Sequence, residues 1–140
     1  GELSKVIAGV DGLLKPGGVV TFVIISPFCL WETFLLFKGR FRTAFRRFFK
    51  KNGAPAKVEG VPFQCWYYSS SFVKKQMGKN YSMLSMEGLC SLVPPSYIEG
   101  FGEKYPRTFS FLRKWENHLK KSWPWKKWGD YFIISFRKLS

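Results

Sequence analysis

Acidic side chains are scarce in this sequence. Across 140 residues, 9 Asp and Glu stand against 23 Lys and Arg, a formal net charge of +14. A charge of that size favours attraction to nucleic acid or anionic lipid without naming a fold. A part of a larger protein whose acidic half is absent would show the same skew. Cysteine and histidine are also few: Cys29, Cys65 and Cys90, none in a CxxC pair, and His118 alone. So few, so scattered ligands suggest neither a disulfide framework nor a zinc site, and reduced thiols and no metal are the expectation. Nothing near Gly1 has the pattern of a secretory signal, so the expected location is the cytoplasm. One stretch, Val19 to Phe37, is long and almost uncharged. Gly17 and Gly18 open it, Ser26-Pro27 interrupts it and Glu32 lies inside it, which argues against a membrane-spanning helix. Ser, Cys and His show no spacing that supports a catalytic triad, and there is no internal repeat or low-complexity tail.

What the sequence does hold is apolar mass. Hydrophobic residues make up 46% and aromatics 19%, enough to bury the core of one domain or to face a partner. Leu3, Val6, Ile7, Val10, Leu13 and Leu14 recur at helical spacing, and Lys15-Pro16-Gly17-Gly18 stops that helix. Val19 to Ile25 is a continuous β-branched run, the pattern of a strand covered on both faces. Phe28 to about Lys51 reads as a helix with an aromatic face and a basic one, and Asn52 to Pro62 as a loop. Phe63 to Tyr68 reads as extended. Ser69 or Ser70 can cap a short helix that Gly78 ends. Tyr81 to Leu89 is a second strand, and Pro94-Pro95 opens an irregular segment to Pro106. Phe109 to Leu119 marks another helix, and Tyr131 to Phe136 the last strand.

Three of these segments, in order, resemble the carboxyl-terminal half of class I S-adenosylmethionine-dependent methyltransferases. They are the helix ending in Leu13-Leu14-Lys15-Pro16-Gly17-Gly18 before an apolar strand, Tyr67-Tyr68-Ser69 opening a short helix, and Gly129-Asp130-Tyr131-Phe132-Ile133-Ile134 ahead of Arg137-Lys138. The segments Trp31-Glu32, Ala44-Phe45-Arg46-Arg47 and Val93-Pro94-Pro95-Ser96-Tyr97 resemble a bacterial subgroup of that family. The resemblance implies an α/β fold: the last three strands of a Rossmann-like seven-stranded sheet, with the seventh antiparallel between the fifth and sixth. Residues 1–140 would form a single partial domain, with a lid-like helical insertion at about 28–51. The family's donor site needs a Gly-rich loop after a strand and an acidic residue for the ribose. Gly100-Phe101-Gly102 follows no strand, so the S-adenosylmethionine site would lie upstream of residue 1 and the piece alone would be inactive.

The implied activity is methyl transfer to a small or lipid-like acceptor, with Phe28, Trp31, Glu32, Tyr67 and Tyr68 as walls of the acceptor site. Beside the lid, two other readings stand for residues 28–51: plain core packing, and contact with the inner membrane surface. Arg40, Arg42, Arg46, Arg47, Lys50 and Lys51 read as a solvated face in preference to a nucleic-acid site, since no recognised motif accompanies them. Glu32 is the candidate for chemistry, against a plainer role complementing a helix dipole. Trp123-Pro124-Trp125 reads as packing, and His118 as an exposed structural residue. The alternative from another class is a non-enzymatic basic module that binds anionic membrane or nucleic acid. The strand Val19 to Ile25 would also be an open edge through which copies could form a homodimer.

Overall fold

A computed structural model of the chain describes residues 2–34, 47, 53–58, 60–95 and 98–140. The first helix, α1 (Glu2–Leu13), turns Leu3 and Ile7 inward. Its remaining apolar positions are looser, and Val6 and Leu13 are exposed. Gly17 makes the turn that follows at φ 80°, in the left-handed region that glycine enters without steric cost. Its N–H then donates to the Lys138 carbonyl at 2.8 Å, which ties the start of one strand to the end of the last.

That first strand, β1 (Val19–Ile25), spans the whole predicted run. It pairs antiparallel with the last strand, β5 (Tyr131–Lys138), which pairs antiparallel with β4 (Tyr81–Leu89). The order β1-β5-β4 makes a three-stranded sheet with the last strand in the middle and the outer two parallel to each other. This is the order expected for these three segments, within a mixed α/β fold. Between Met83 and Ser85 the register slips, a bulge that bends β4.

The core lies on one face of this sheet. Ile24, Met86, Phe132, Ile134 and Phe136 meet Leu3 and Ile7 of α1 and Val73 and Met77 of the helix α3 (Ser70–Met77). Each such side chain stabilises the fold by about 1.5–3 kcal/mol through burial. Ser69 caps α3, its hydroxyl accepting the Phe72 N–H at 3.2 Å, and Gly78 ends it, as the sequence indicates. The opposite face differs from expectation. Val19 and Val23 are 50% and 63% exposed, so β1 is covered on one face only by the described residues.

Two further differences concern the middle of the chain. Of the helix expected over 28–51, the described residues show Phe28 and Cys29 outside any helix, α2 (Leu30–Phe34) and Arg47 in a turn; 35–46 and 48–51 lie outside them. The expected loop at 52–62 instead forms most of a hairpin of β2 (Ala54–Val58) and β3 (Val61–Cys65). Pro55 and Pro62, each unable to donate to a ladder, read as loop residues but fit a two-stranded ribbon with two free edges. Beyond Pro94-Pro95, α4 (Phe101–Lys104) and α5 (Pro106–Leu119) precede α6 (Trp125–Trp128). Gly129 follows α6, and a β-carbon there would collide with the Leu89 carbonyl, so only glycine lets this connection lie against β4. No helix among the described residues is long and apolar enough to cross a membrane.

Candidate functional site

The carboxyl end of β1 is where polar groups converge. Strand pairing ends as the Ser26 N–H donates to the Asp130 carbonyl at 3.0 Å. Pro27 cannot continue the ladder, and the chain turns into α2. The Ser26 hydroxyl shapes this turn, accepting the Phe28 N–H and donating to the Lys127 carbonyl, both at 3.3 Å. Glu32 falls in the first turn of α2.

Arg47 sits at the centre of this end. Its Nε and Nη2 donate to the two oxygens of Glu32 at 2.9 and 2.8 Å, the parallel fork that guanidinium and carboxylate planes allow. Nη2 also meets the Asp130 carboxylate. Nη1 donates to the carbonyls of Ser26 at 2.9 Å and Asp130 at 3.2 Å. The Tyr67 ring lies 5.3 Å from the guanidinium carbon, within cation–π range. Arg47, Glu32 and Asp130 are 7%, 2% and 4% exposed. Burial opposes the charge on Arg47, but hydrogen bonds and attraction from Glu32, then Asp130, outweigh it and raise its pKa. Arg47 is therefore not part of a solvated basic face, as the sequence reading had it. Arg40, Arg42, Arg46, Lys50 and Lys51 lie outside the described residues.

Beside this network a cavity of about 260 Å³ opens between the end of β1, the start of α3 and α6. Met86 and Phe132 of the sheet, with Pro27, Phe28 and Trp128, give it apolar surfaces. The Phe28 and Trp128 rings stand 5.8 Å apart. Ser26, Lys127 and the run Ser69-Ser70-Ser71 supply its polar surface.

The five residues proposed from sequence divide around this cavity. Phe28 lines it. Glu32 and Tyr67 sit behind it, against Arg47. With both oxygens of Glu32 taken by Arg47, the geometry gives it a role in holding the chain together. Trp31 packs away from it, edge-on to Phe34 and Phe101 at 6.1 and 6.2 Å. Tyr68 stacks on Phe72 at 5.4 Å and 10° and packs on the core. Buried Trp31 Nε1 and Tyr68 Oη meet no hydrogen-bond partner among the described residues. Lys127 and Trp128 escaped sequence reasoning, and the three serines read only as a helix cap. Their one signal is a serine triplet directly after an aromatic run.

Outside the site, Glu116 does what no sequence pattern announced. Its buried carboxylate accepts three backbone N–H groups, Cys90 at 2.7 Å, Leu92 at 3.1 Å and Val93 at 2.7 Å. It pins the segment after β4 to α5. Burial, then the nearby Glu116 and Asp130 charges, pushes the Cys90 thiol up to about 11, so it stays protonated near neutral pH. His118 is exposed, its Nδ1 2.8 Å from the Lys114 carbonyl. Trp123 is 74% exposed, which corrects its reading as a packing residue; Trp125 is half-buried against Trp128 at 5.9 Å. No group of three or more His, Cys, Asp or Glu among the described residues is placed to hold a metal. In comparison with known proteins, no family model matches the chain and no curated protein matches it.

Proposed function

We propose that the chain is the carboxyl-terminal half of a class I S-adenosylmethionine-dependent methyltransferase whose acceptor is small or lipid-like. The strand order carries this reading. A strand antiparallel to both neighbours, between two strands parallel to each other, is the arrangement that the family gives its last three strands. Two further observations support it. Among the described residues β1 has an uncovered face and an open edge, where a donor-binding half would pack. The cavity lies at the carboxyl end of β1, where open α/β sheets hold their ligands. The described residues do not fit the donor itself. Gly100 and Gly102 belong to the start of the four-residue α4 and follow no strand. No step of the transfer is therefore assigned to this half. Its part is to wall and orient the acceptor, the positioning on which a displacement at carbon depends.

The test is donor binding by calorimetry. The 140-residue chain is expected not to bind S-adenosylmethionine, and the same chain joined to the residues encoded upstream is expected to bind it at micromolar concentration. Binding by the short chain, or none by the long one, overturns the reading.

One observation favours a second reading, contact with a membrane surface. On α5 the side opposite buried Glu116 carries Phe111 and Trp115, 60% and 49% exposed, beside Lys114 and His118. Aromatic rings among basic groups suit an anionic lipid interface. Sedimentation with phosphatidylglycerol vesicles, reversed by salt and lost in Phe111→Ala/Trp115→Ala, is the expected result. Equal binding to neutral vesicles, or none, removes it.

A further inference from the structure

We propose that the connection from Lys120 to Trp128 docks the chain on a bilayer of anionic phospholipid, with Trp123 entering the interface and Lys126 and Lys127 meeting the phosphates. This deepens the membrane reading and rests on it for the kind of partner. It rests on neither the α5 face nor the methyltransferase reading.

Four lysines and three tryptophans fall within these nine residues. The backbone of the segment is held to the body of the fold at three places. The Lys120 carbonyl accepts the Gly88 N–H at 2.8 Å, the Trp125 carbonyl accepts the Ser91 hydroxyl at 2.8 Å, and the Lys127 carbonyl accepts the Ser26 hydroxyl at 3.3 Å. A β-carbon at Gly88 would collide with the Trp125 carbonyl, so β4 is shaped to receive the segment. On this pinned backbone Trp123 is 74% exposed, more than any other aromatic ring among the described residues. An indole joins a large apolar body to a polar N–H, which suits the boundary between acyl chains and head groups.

The charge around it complements an anionic surface. Glu87 holds Lys120 and Lys121 at 2.9 and 3.2 Å. No carboxylate pairs with Lys126 or Lys127 among the described residues, and Asp130, the next acid along the chain, is held by Arg47. Two cations without an acidic partner thus lie within four residues of the exposed indole. Each basic group near an anionic bilayer adds to the attraction.

Single-stranded nucleic acid would also attract the lysines, but it needs open ring faces on which bases stack. Trp125 and Trp128 stand edge-on to each other at 5.9 Å and 75°, and Trp128 also meets Phe28 at 5.8 Å. Of the three tryptophans only Trp123 stands clear of the other described rings. One projecting ring beside two cations fits insertion into an interface better than a stacking platform.

The test mixes the chain with phosphatidylglycerol vesicles, with phosphatidylcholine vesicles and single-stranded oligothymidylate as comparisons. Trp123 fluorescence, taken as the difference between the chain and Trp123→Phe, should shift to the blue on phosphatidylglycerol and be quenched by lipid brominated on its acyl chains. Trp123→Ala should weaken sedimentation with these vesicles about tenfold, and Trp123→Phe by less. Lys126→Ala/Lys127→Ala should weaken it by about fivefold for each lysine. Lys74→Ala/Lys75→Ala removes the same charge from exposed positions on α3 and should weaken it by about twofold at most. Circular dichroism checks that each variant folds. Unquenched Trp123 in the vesicle-bound chain, equal losses for the two lysine pairs, or tighter binding to oligothymidylate overturns the proposal. A loss in Phe111→Ala/Trp115→Ala with none in Trp123→Ala would sink the proposal and keep the α5 face; the reverse would sink the α5 face alone. No binding to phosphatidylglycerol sinks both, and donor binding by the longer protein is independent of all these results.

Discussion

Ion networks hold both ends of the three-stranded sheet, and they differ in almost every physical respect. At the carboxyl end of β1, Arg47 is closed in with Glu32 and Asp130, all three side chains 3–5% exposed. At the other end, Asp11 of α1 accepts the Tyr81 hydroxyl of β4 at 2.6 Å and pairs with Lys138 of β5 at 3.0 Å. There the Asp11 side chain is 49% exposed. Both networks join a helix to the sheet. In the first, no water can replace a lost partner, so each member depends on the others. In the second, the Lys138 side chain is 14% exposed, but water reaches half-exposed Asp11, screens its charge and can take a lost partner's place there. A carboxylate paired with a cation thus forms a clamp at one end and a trim at the other.

Breaking the buried clamp should have the largest effect. Arg47→Met leaves two carboxylates facing each other out of reach of solvent, and removing one member of a buried ion network costs about 3–5 kcal/mol. Urea unfolding should show this as a lower midpoint. Arg47→Lys should recover only part of the loss, because an ammonium cannot make the fork to Glu32 while reaching the Ser26 and Asp130 carbonyls. If Arg47→Met unfolds at the same urea concentration as the parent chain, the contrast between the two ends has no energetic content.

Glu116 sharpens the contrast, since it is a buried carboxylate without an ion partner in the contacts described. Three N–H groups of the chain after β4 hold it instead. Glu116→Ala strands those donors and should cost about 3 kcal/mol. The loss should be local first. Hydrogen exchange at Cys90, Leu92 and Val93 is expected to accelerate more than exchange in β5. Uniform acceleration would mean that Glu116 holds the whole sheet and not one segment.

The legibility of these parts follows the range of the forces that set them. β1 and β4 appeared in the sequence with their observed ends, and α3 with its Ser69 cap and Gly78 stop, because hydrophobic runs and caps are local signals. The hairpin looks like a loop in sequence because its prolines and alanines have weak strand preference, and its pairing is decided by geometry. The role of Arg47 leaves no local trace. An arginine within a basic run looks alike whether it faces water or a carboxylate 83 positions away. Phe28 reached the site because it follows an apolar strand, where clefts form. Lys127 and Trp128 reached it from the far end of the chain, with nothing nearby in sequence to announce them.

The exposed trim predicts the smallest effect and tests the contrast from its weaker side. The Tyr81 phenol is pushed up to about 12, first by its hydrogen bond to Asp11, then by burial, then by the Asp11 charge. An ordinary tyrosine ionises near ~10. The folded value lies above the unfolded one, so this contribution is fully present below about pH 10 and is lost as pH rises towards 12. Near neutral pH it does not vary with pH. Asp11→Asn keeps an oxygen that can accept the hydroxyl but removes the charge. It should bring the Tyr81 midpoint down towards the ordinary value while leaving the urea midpoint at pH 7 nearly unchanged. An ultraviolet titration measured as the difference from Tyr81→Phe isolates this phenol from the other five tyrosines. A midpoint that does not move would show that burial, not Asp11, sets the Tyr81 ionisation. A neutral-pH loss as large as that of Arg47→Met would show that the half-exposed network is a second clamp, and the difference between the two ends would then lie in geometry alone.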